Sequence, residues 1–247
     1  MCDINGKILL RPNYPWRGTT PIIEYQSEKF KEENKNSYIE LNIVMNLPKN
    51  GVFLDVGGHI GDTSLPISFY AKNNGRSDIK TLIFEPDKKK CEFIKKVIEM
   101  NDLNAKIYNT CVGDKERILR LDPRKHRNGR KIGRGSMKYV ETNENSDIRM
   151  ITLDMIREEI GKVGYIHIDA EGWDDKVIIG GSELIKENTP IIMCECWKHI
   201  GNTETNIKNI LKKLNKNYDI MESLNINGKD VNAMNRRGND AIFHISR

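Results

Sequence analysis

Short apolar runs alternate with helical segments over most of this 247-residue chain, and that alternation restricts the fold more than any other feature. The runs predict seven strands: Val52–Val56, Thr81–Phe84, Lys106–Val112, Tyr165–Ile168, Pro190–Cys196, Tyr218–Leu224 and Asp240–Ile245. The segments between them predict helices over 27–46, 63–73, 88–101, 153–160, 173–187 and 203–215. Strands that alternate with helices form a mostly parallel sheet covered on both faces. We therefore predict an α/β fold with a seven-stranded, mostly parallel sheet and an antiparallel C-terminal strand.

Two segments fall outside this alternation. Residues 1–26 contain Pro12, Pro15 and Pro21, which predicts an ordered arm before the first helix. We expect 1–46 to form an N-terminal arm and helix packed on a main domain over 47–247. Residues 120–148 form a basic, non-periodic insertion that predicts a loop, either functional or merely solvated. Its basic residues are Arg120, Arg124, Lys125, His126, Arg127, Arg130, Lys131, Arg134 and Lys138.

The composition sets only broad limits on function. The net charge of +5 permits an anionic substrate or a nucleic acid and requires neither. Five cysteines, an odd number without zinc-ligand spacing, favour a reducing compartment. The N-terminus lacks a signal-peptide pattern, and no apolar run approaches the ~20 residues of a membrane span. We therefore expect a soluble, cytoplasmic protein without a membrane partner, and its oligomeric state stays open.

A glycine-rich turn follows the first strand, in the segment Asp55-Val56-Gly57-Gly58-His59-Ile60-Gly61-Asp62-Thr63. Ligands of parallel sheets bind beyond the carboxyl ends of the strands, and glycine lets the backbone approach them closely. The dinucleotide fingerprint G-x-G-x-x-G fails here, because His59 stands at its third position. Asp55 precedes the loop instead. A carboxylate there repels a pyrophosphate but suits the cationic ammonium end of S-adenosylmethionine.

A second acid, Glu85, ends the next strand in Ile83-Phe84-Glu85-Pro86. A carboxylate at that position can accept hydrogen bonds from both ribose hydroxyls of a nucleoside. Asp55, the glycine loop and Glu85 thus occur in the order that a site for S-adenosylmethionine requires.

These residues resemble the FkbM family of S-adenosylmethionine-dependent methyltransferases over roughly 50–200 of this chain. The matching stretches are Leu54–Leu65, Phe84–Asp87, Val112–Asp114, Ile151–Asp154, Tyr165–Asp174 and Ile191–Trp197. The family's cofactor positions fall on Asp55, Gly57, Gly61 and Glu85, and its acidic motif falls on Asp169, Glu171 and Gly172. The resemblance implies a Rossmann-like methyltransferase fold and usually O-methylation of a sugar or natural-product hydroxyl.

We predict that the cofactor contacts the glycine loop and the neighbouring strand ends. The predicted cofactor-binding residues are Asp55, Gly57, Gly58, His59, Gly61, Asp62, Thr63, Glu85, Pro86, Val112 and Asp169. The chain departs from the family at His167, where lysine is frequent, and at Asp174, where glutamate is frequent. The N-terminal arm and the basic insertion lie outside the resemblance, and we expect them to shape the acceptor pocket.

Methyl transfer to a hydroxyl requires a base that takes the hydroxyl proton. Asp169 and Glu171 follow the fourth strand, and Glu195 ends the fifth beside them. A buried carboxylate among like charges has a raised pKa, which makes Asp169 the first candidate for the base and Glu171 its positioning partner. His199 and His167 are alternative bases.

Two further features of the acidic strand ends stay open. Asp169, Glu195 and Asp154 could hold Mg²⁺ through oxygen ligands, or they could anchor loop N–H groups, so metal binding is unresolved. Trp173 and Trp197 could stack on a sugar or on adenine, or could pack as ordinary core residues.

The leading hypothesis is an O-methyltransferase for a hydroxyl of a sugar, glycan or small molecule, including an anionic one. The alternative is a nucleic-acid methyltransferase, with RNA as its substrate, that uses the basic insertion. It is less favoured because the insertion lacks interleaved aromatic residues. A third reading is a non-catalytic binding module, which the retained acids argue against.

Overall fold

The computed structural model describes residues 2–4, 7–9, 35–121, 139–143, 146–196, 203–233 and 240–246, with backbone only for 2–4, 7–9 and 35–36. Its central sheet has seven strands, β1 Val52–Val56, β2 Lys80–Phe84, β3 Ala105–Tyr108, β4 Val163–Ile168, β5 Ile191–Glu195, β6 Tyr218–Ile220 and β7 Asp240–Ile245. Their spatial order is β6-β7-β5-β4-β1-β2-β3. β7 runs antiparallel to its neighbours β5 and β6, and the other pairs are parallel. The predicted mostly parallel sheet with an antiparallel C-terminal strand is confirmed.

Seven α-helices belong to the described residues, α1 Lys35–Met45, α2 Ser64–Asn73, α3 Lys88–Asn101, α4 Arg157–Ile160, α5 Asp174–Gly180, α6 Ser182–Asn188 and α7 Glu204–Leu214. A 3-10 turn, Asp154–Ile156, precedes α4. The helix α3 has the predicted bounds. It begins at Lys88 because the Asp87 side chain caps it by accepting hydrogen bonds from the backbone N–H groups of Lys89 and Lys90. The single helix predicted over 173–187 is instead two helices that meet at Gly181.

The sheet separates two apolar layers, since successive strand residues face opposite sides. Helices α1, α2 and α3 cover one layer, and α5, α6 and α7 cover the other. Phe53 on β1 and Tyr165 on β4 belong to the layer beneath α1. Asp55 and His167 lie two residues further along the same strands, so they face α1 as well.

A second, four-stranded sheet lies between β3 and β4 in the chain. Its strands are Cys111–Val112, Arg117–Leu121, Tyr139–Glu141 and Ile148–Ile151. Ile148–Ile151 pairs with Cys111–Val112 and with Arg117–Leu121, which also pairs with Tyr139–Glu141. The predicted strand over 106–112 is therefore two strands in different sheets. The prediction of a loop over 120–148 is wrong at both ends of that range, because these residues pair with neighbouring backbone as strands. Residues 122–138 lie outside the described residues.

Two hairpins complete the secondary structure. Cys2–Ile4 pairs with Lys7–Leu9, and Ser223–Ile226 pairs with Lys229–Asn232. The second hairpin turns at Asn227 and Gly228, which both have positive φ. The other residues of the predicted N-terminal arm lie outside the described ones, so the division at residue 46 stays a prediction.

None of the described helices is long and apolar enough to cross a membrane. The predicted compartment stays a prediction.

Candidate functional site

A cavity of about 680 Å³ opens at the carboxyl ends of β1, β2 and β4. This volume is in the range of sites for small molecules and cofactors. Ten of the eleven predicted cofactor-binding residues line it, namely Asp55, Gly57, Gly58, His59, Asp62, Thr63, Glu85, Pro86, Val112 and Asp169. The glycine loop, both acidic strand ends and the second sheet therefore meet at one place.

The glycine loop is held against the backbone of two neighbouring strands. The N–H groups of Gly57 and Gly58 both donate to the carbonyl oxygen of Phe84, at 2.9 and 3.0 Å. Gly57 has φ +88°, and a Cβ there would lie 1.9 Å from the carbonyl oxygen of Asp169. Only glycine fits this position, because the loop touches main chain that cannot move aside.

Two further loop residues have left-handed backbone. His59, which replaces the third glycine of a dinucleotide loop, adopts φ 47° and faces the cavity. Gly61 is the predicted cofactor residue that does not line the cavity. Its φ is +74°, and a Cβ there would lie 2.3 Å from the Leu65 side chain of α2. The absence of a side chain at Gly61 therefore leaves room for Leu65 to pack.

Glu85 lies buried at the carboxyl end of β2, and its side chain lines the cavity. The Asp87 N–H donates to Glu85 Oε1 at 2.8 Å, and Lys90 Nζ lies 3.8 Å from the same oxygen. Burial raises the pKa of Glu85, and the positive charge of Lys90 opposes that rise. The sequence reasoning missed Lys90, which also lines the cavity; its place in the first turn of α3, directly beyond Glu85, was the available signal.

A buried charged network lies under the glycine loop. Asp55 and His167 are register partners on β1 and β4, and both line the cavity. His167 Nδ1 lies 2.8 Å from Glu40 Oε2 of α1. Burial would lower the pKa of His167, but Glu40, Asp55 and Asp169 outweigh it and raise that pKa to about 10. Burial raises the pKa of Asp55 to about 6, while His167 opposes the rise.

The sequence reasoning treated His167 as an alternative base and missed Glu40. At neutral pH an imidazolium paired with Glu40 has no lone pair with which to take a proton. The available signal was a glutamate surrounded by the apolar residues Ile39, Leu41 and Ile43 in one helix.

The predicted catalytic acids are brought together around the end of β4. Asp169 and Glu171 line the cavity, and the Asp169 carboxyl group shares a hydrogen bond with Glu195 at the end of β5. Burial, followed by the charges of Glu195 and Glu171, raises the pKa of Asp169, and His167 opposes the rise. Glu171 has φ 50°, a strained backbone that often marks a functional loop.

Asp174 is a further acid that the sequence reasoning did not place in the site. It is fully buried at the start of α5. Burial, and then the charges of Asp169 and Glu195, raise its pKa to about 8. Asp169 is exposed toward the cavity and Glu195 is half-buried, but both charges act on the buried Asp174, which is therefore largely protonated at neutral pH.

The second sheet supplies a wall of the cavity that the sequence did not predict. Leu119, Val140 and Met150 line it, as does Tyr139. Trp173, 36% exposed, also lines the cavity, and the Arg117 guanidinium lies 5.4 Å from its ring centre. Of the two predicted stacking residues, Trp173 is therefore at the cavity, and Trp197 lies outside the described residues.

The remaining predicted site residues do not join this arrangement. Asp154 accepts backbone hydrogen bonds from Glu183 and Leu184 at 3.1 and 2.9 Å, so it caps α6. This matches its predicted alternative role as an anchor for N–H groups. Among the residues that the structure describes, no group of three or more His, Cys, Asp or Glu could hold a metal ion. His199 lies outside those residues.

An open α/β sheet with a glycine loop and an acid at each of two adjacent strand ends defines a nucleotide-cofactor enzyme of Rossmann-like fold. The family description "Methyltransferase FkbM domain" matches residues 55–222. The chain therefore belongs to the FkbM family of S-adenosylmethionine-dependent methyltransferases. The resemblance found in the sequence is confirmed. None of the curated proteins compared with the sequence matches it significantly.

One solved structure shares the fold at low sequence identity, and two further solved structures are less similar. The FkbM methyltransferase of Methylobacillus flagellatus KT is 13% identical with a TM-score of 0.51, and the match covers 80% of this chain. This chain spans 44% of the length of that protein. A methyltransferase from Aquifex aeolicus described as SAM dependent is 11% identical, with 88% and 97% of the two chains covered and a TM-score of 0.44. M. capricolum TrmK, solved with S-adenosyl-homocysteine, is 14% identical, with 83% and 66% covered and a TM-score of 0.41.

Proposed function

We propose that this protein uses S-adenosylmethionine to methylate a hydroxyl group of a sugar, glycan or small molecule, with Asp169 as the base. The observation that carries the proposal is Asp169, which lines the cavity beside the glycine loop and has a pKa raised by desolvation within the cavity and by the charge of Glu195. A base of that kind takes a proton near neutral pH more effectively than an ordinary aspartate.

The cavity fits the cofactor in size and in chemistry. Asp55 Oδ2 is buried without a hydrogen-bond partner among the described residues, and it suits an ammonium group. Glu85 offers a carboxylate to two ribose hydroxyls, and the bare backbone at Gly57 and Gly58 permits close approach. When bound, S-adenosylmethionine would supply a methyl group on a positively charged sulfur; attack of a nucleophile on the methyl carbon would break the C–S bond and release neutral S-adenosylhomocysteine.

The residues around the end of β4 would prepare the acceptor. Asp169 accepts the hydroxyl proton at a carboxylate oxygen, and Glu195 holds that carboxylate through their shared hydrogen bond. Glu171, held in a left-handed conformation, is placed to orient the acceptor. Trp173 offers a flat apolar face to sugar C–H groups, and Arg117, which is paired with Asp114 at 2.6 Å, holds its ring.

No observation in the described residues favours the nucleic-acid alternative. Most of the basic insertion lies in 122–138, outside those residues. The cavity wall formed by the strands around the two ends of the insertion is largely apolar, as Leu119, Val140 and Met150 show. A nucleic-acid substrate would require binding that weakens steeply with salt.

The test is transfer of an isotopically labelled methyl group from S-adenosylmethionine to a panel of nucleotide sugars, oligosaccharides, small alcohols and RNA. Each reaction is run with and without a chelator, and products are identified by mass spectrometry. Methylated hydroxyl products that disappear with Asp169→Asn support the proposal. Methylation restricted to RNA, or full turnover by Asp169→Asn, would contradict it.

A further inference from the structure

The helix α1 lies before the family domain, yet one of its side chains contacts a residue that lines the cofactor cavity. The family match begins at residue 55, and α1 covers Lys35–Met45. Glu40 is 2% exposed, and its Oε2 lies 2.8 Å from Nδ1 of His167. A charge buried this completely is rare unless it is paired, so the contact with His167 accounts for its position.

His167 connects this pair to the glycine loop. It is the register partner of Asp55, and both residues lie at the wall of the cavity, where Asp55 is 1% and His167 8% exposed. Asp55 Oδ2 has no hydrogen-bond partner among the described residues, and it lies 3.2 Å from where a Cβ of Gly58 would be. Glu40 itself does not line the cavity. Any effect of Glu40 on a ligand must therefore pass through His167 and Asp55.

We propose that Glu40 is a positioning residue that holds His167 as an imidazolium beside Asp55, so that Asp55 stays ionised to receive the ammonium group of the cofactor. The inference rests on the proposed function for the identity of that ligand. It adds a residue from outside the matched family domain to the site.

The groups that face His167 are acids, which favour its protonated form. They are Glu40 from α1, Asp55 from β1 and Asp169 from the end of β4, and the Tyr165 hydroxyl lies near Glu40. Against burial, the three carboxylates hold the pKa of His167 well above its ordinary value. The pKa of Asp55, raised to about 6 by burial, would rise further without the neighbouring positive charge.

The test compares two nucleosides of which only one carries the ammonium group that Asp55 would receive. S-adenosylhomocysteine carries the amino-acid end, and 5′-methylthioadenosine lacks it. We expect Glu40→Gln to weaken S-adenosylhomocysteine about tenfold near pH 7, because a rise in the pKa of Asp55 from about 6 to about 8 on loss of the imidazolium leaves only about a tenth of the carboxylate ionised. Binding of 5′-methylthioadenosine, measured by the same calorimetry, should change less than about twofold.

Two variants separate charge from packing. Glu40→Asp keeps the carboxylate and should recover part of the affinity. Val44→Ala opens a cavity at a fully buried position of the same helix and leaves the charges alone, so it should lower the stability without discriminating between the ligands. Equal loss of both ligands in Glu40→Gln, or no loss of either, would overturn the proposal.

The ligand-free protein provides a readout that does not depend on the proposed function. The His167 imidazole is titrated by nuclear magnetic resonance in the wild type and in Glu40→Gln. Its pKa should fall toward its ordinary value of about 6.5 or lower once Glu40 loses its charge. If the wild type binds neither ligand but this pKa falls, the proposed function fails while the hold of Glu40 on His167 stands. An unchanged pKa would refute that hold.

Discussion

The carbonyl oxygen of Asp169 lies 1.9 Å from the point that a Cβ at Gly57 would occupy. The two strand ends are also joined by a hydrogen bond of 2.9 Å from the Asp169 N–H to the carbonyl oxygen of Val56. The backbone of the proposed cofactor loop therefore rests directly on the backbone that carries the proposed base. This contact fixes the distance between the two halves of the site more firmly than side-chain packing would.

Replacement of Gly57 by alanine should disrupt this contact. We expect Gly57→Ala to lower the free energy of unfolding by about 3 kcal/mol or more, since it adds a backbone clash to the strain of a positive φ. Gly75→Ala is the matched control, because Gly75 has φ +80° but nothing within 4 Å of its Cβ position. It should cost about 1–2 kcal/mol. Urea unfolding of both variants measures the difference between their free energies of unfolding. An equal loss of stability in the two variants would show that the backbone clash at residue 57 is relieved.

Replacement of Glu85 by glutamine should weaken cofactor binding without unfolding the protein. A hydrogen bond to a charged group contributes about 1.5–3 kcal/mol, so we expect S-adenosylhomocysteine to bind about 10–100-fold more weakly. Glu92→Gln, at an exposed position of α3, serves as the control. Calorimetry with both variants decides the matter. An unchanged affinity in Glu85→Gln would show that Glu85 does not contribute to cofactor binding.

Replacement of Asp169 by asparagine should separate catalysis from binding. We expect kcat to fall about 100-fold or more, because general-base catalysis contributes about that much, with S-adenosylhomocysteine affinity within a few-fold of the wild type. In the wild type, kcat/KM should decline as the pH falls through the raised pKa of Asp169, since only the ionised form accepts a proton. A flat profile, or a large loss of affinity in the variant, would argue for a different base.

Replacement of Asp174 by asparagine should alter how stability depends on pH. The pKa of Asp174 is about 8 in the fold against an ordinary 3.8, so the folded protein keeps a proton that the unfolded chain releases. The contribution of Asp174 to the free energy of unfolding is therefore fully favourable below pH 3.8 and is lost as the pH rises through about 8. The wild type should lose stability relative to Asp174→Asn over that interval, with a slope of about 1.4 kcal/mol per pH unit. Urea unfolding at about pH 5, 6.5 and 8 measures the slopes.

The half-buried neighbour Asp175 gives the control for that experiment. Asp175→Asn should follow the wild-type profile. Parallel curves for the wild type and Asp174→Asn would mean that Asp174 ionises normally in the fold.

Much of the fold was predictable, because the strands and helices of the core are long enough to show their periodicity. The helix Lys88–Asn101 was predicted to the residue. The second sheet was missed, since its strands have two to five residues and mix charged with apolar side chains, as in Arg117–Leu121. Such strands exist because of their backbone partners, which periodicity does not reveal.

The sequence by itself determined which residues gather at the carboxyl ends of β1, β2 and β4, because strand order and motif spacing are local properties of the chain. That is why Asp55, Glu85 and Asp169 were found in advance. Only the tertiary structure decided what faces them. Glu40 meets His167 across 127 positions of sequence. Charges act through space, so the ionisation of the site depends on contacts that no single segment of the chain encodes.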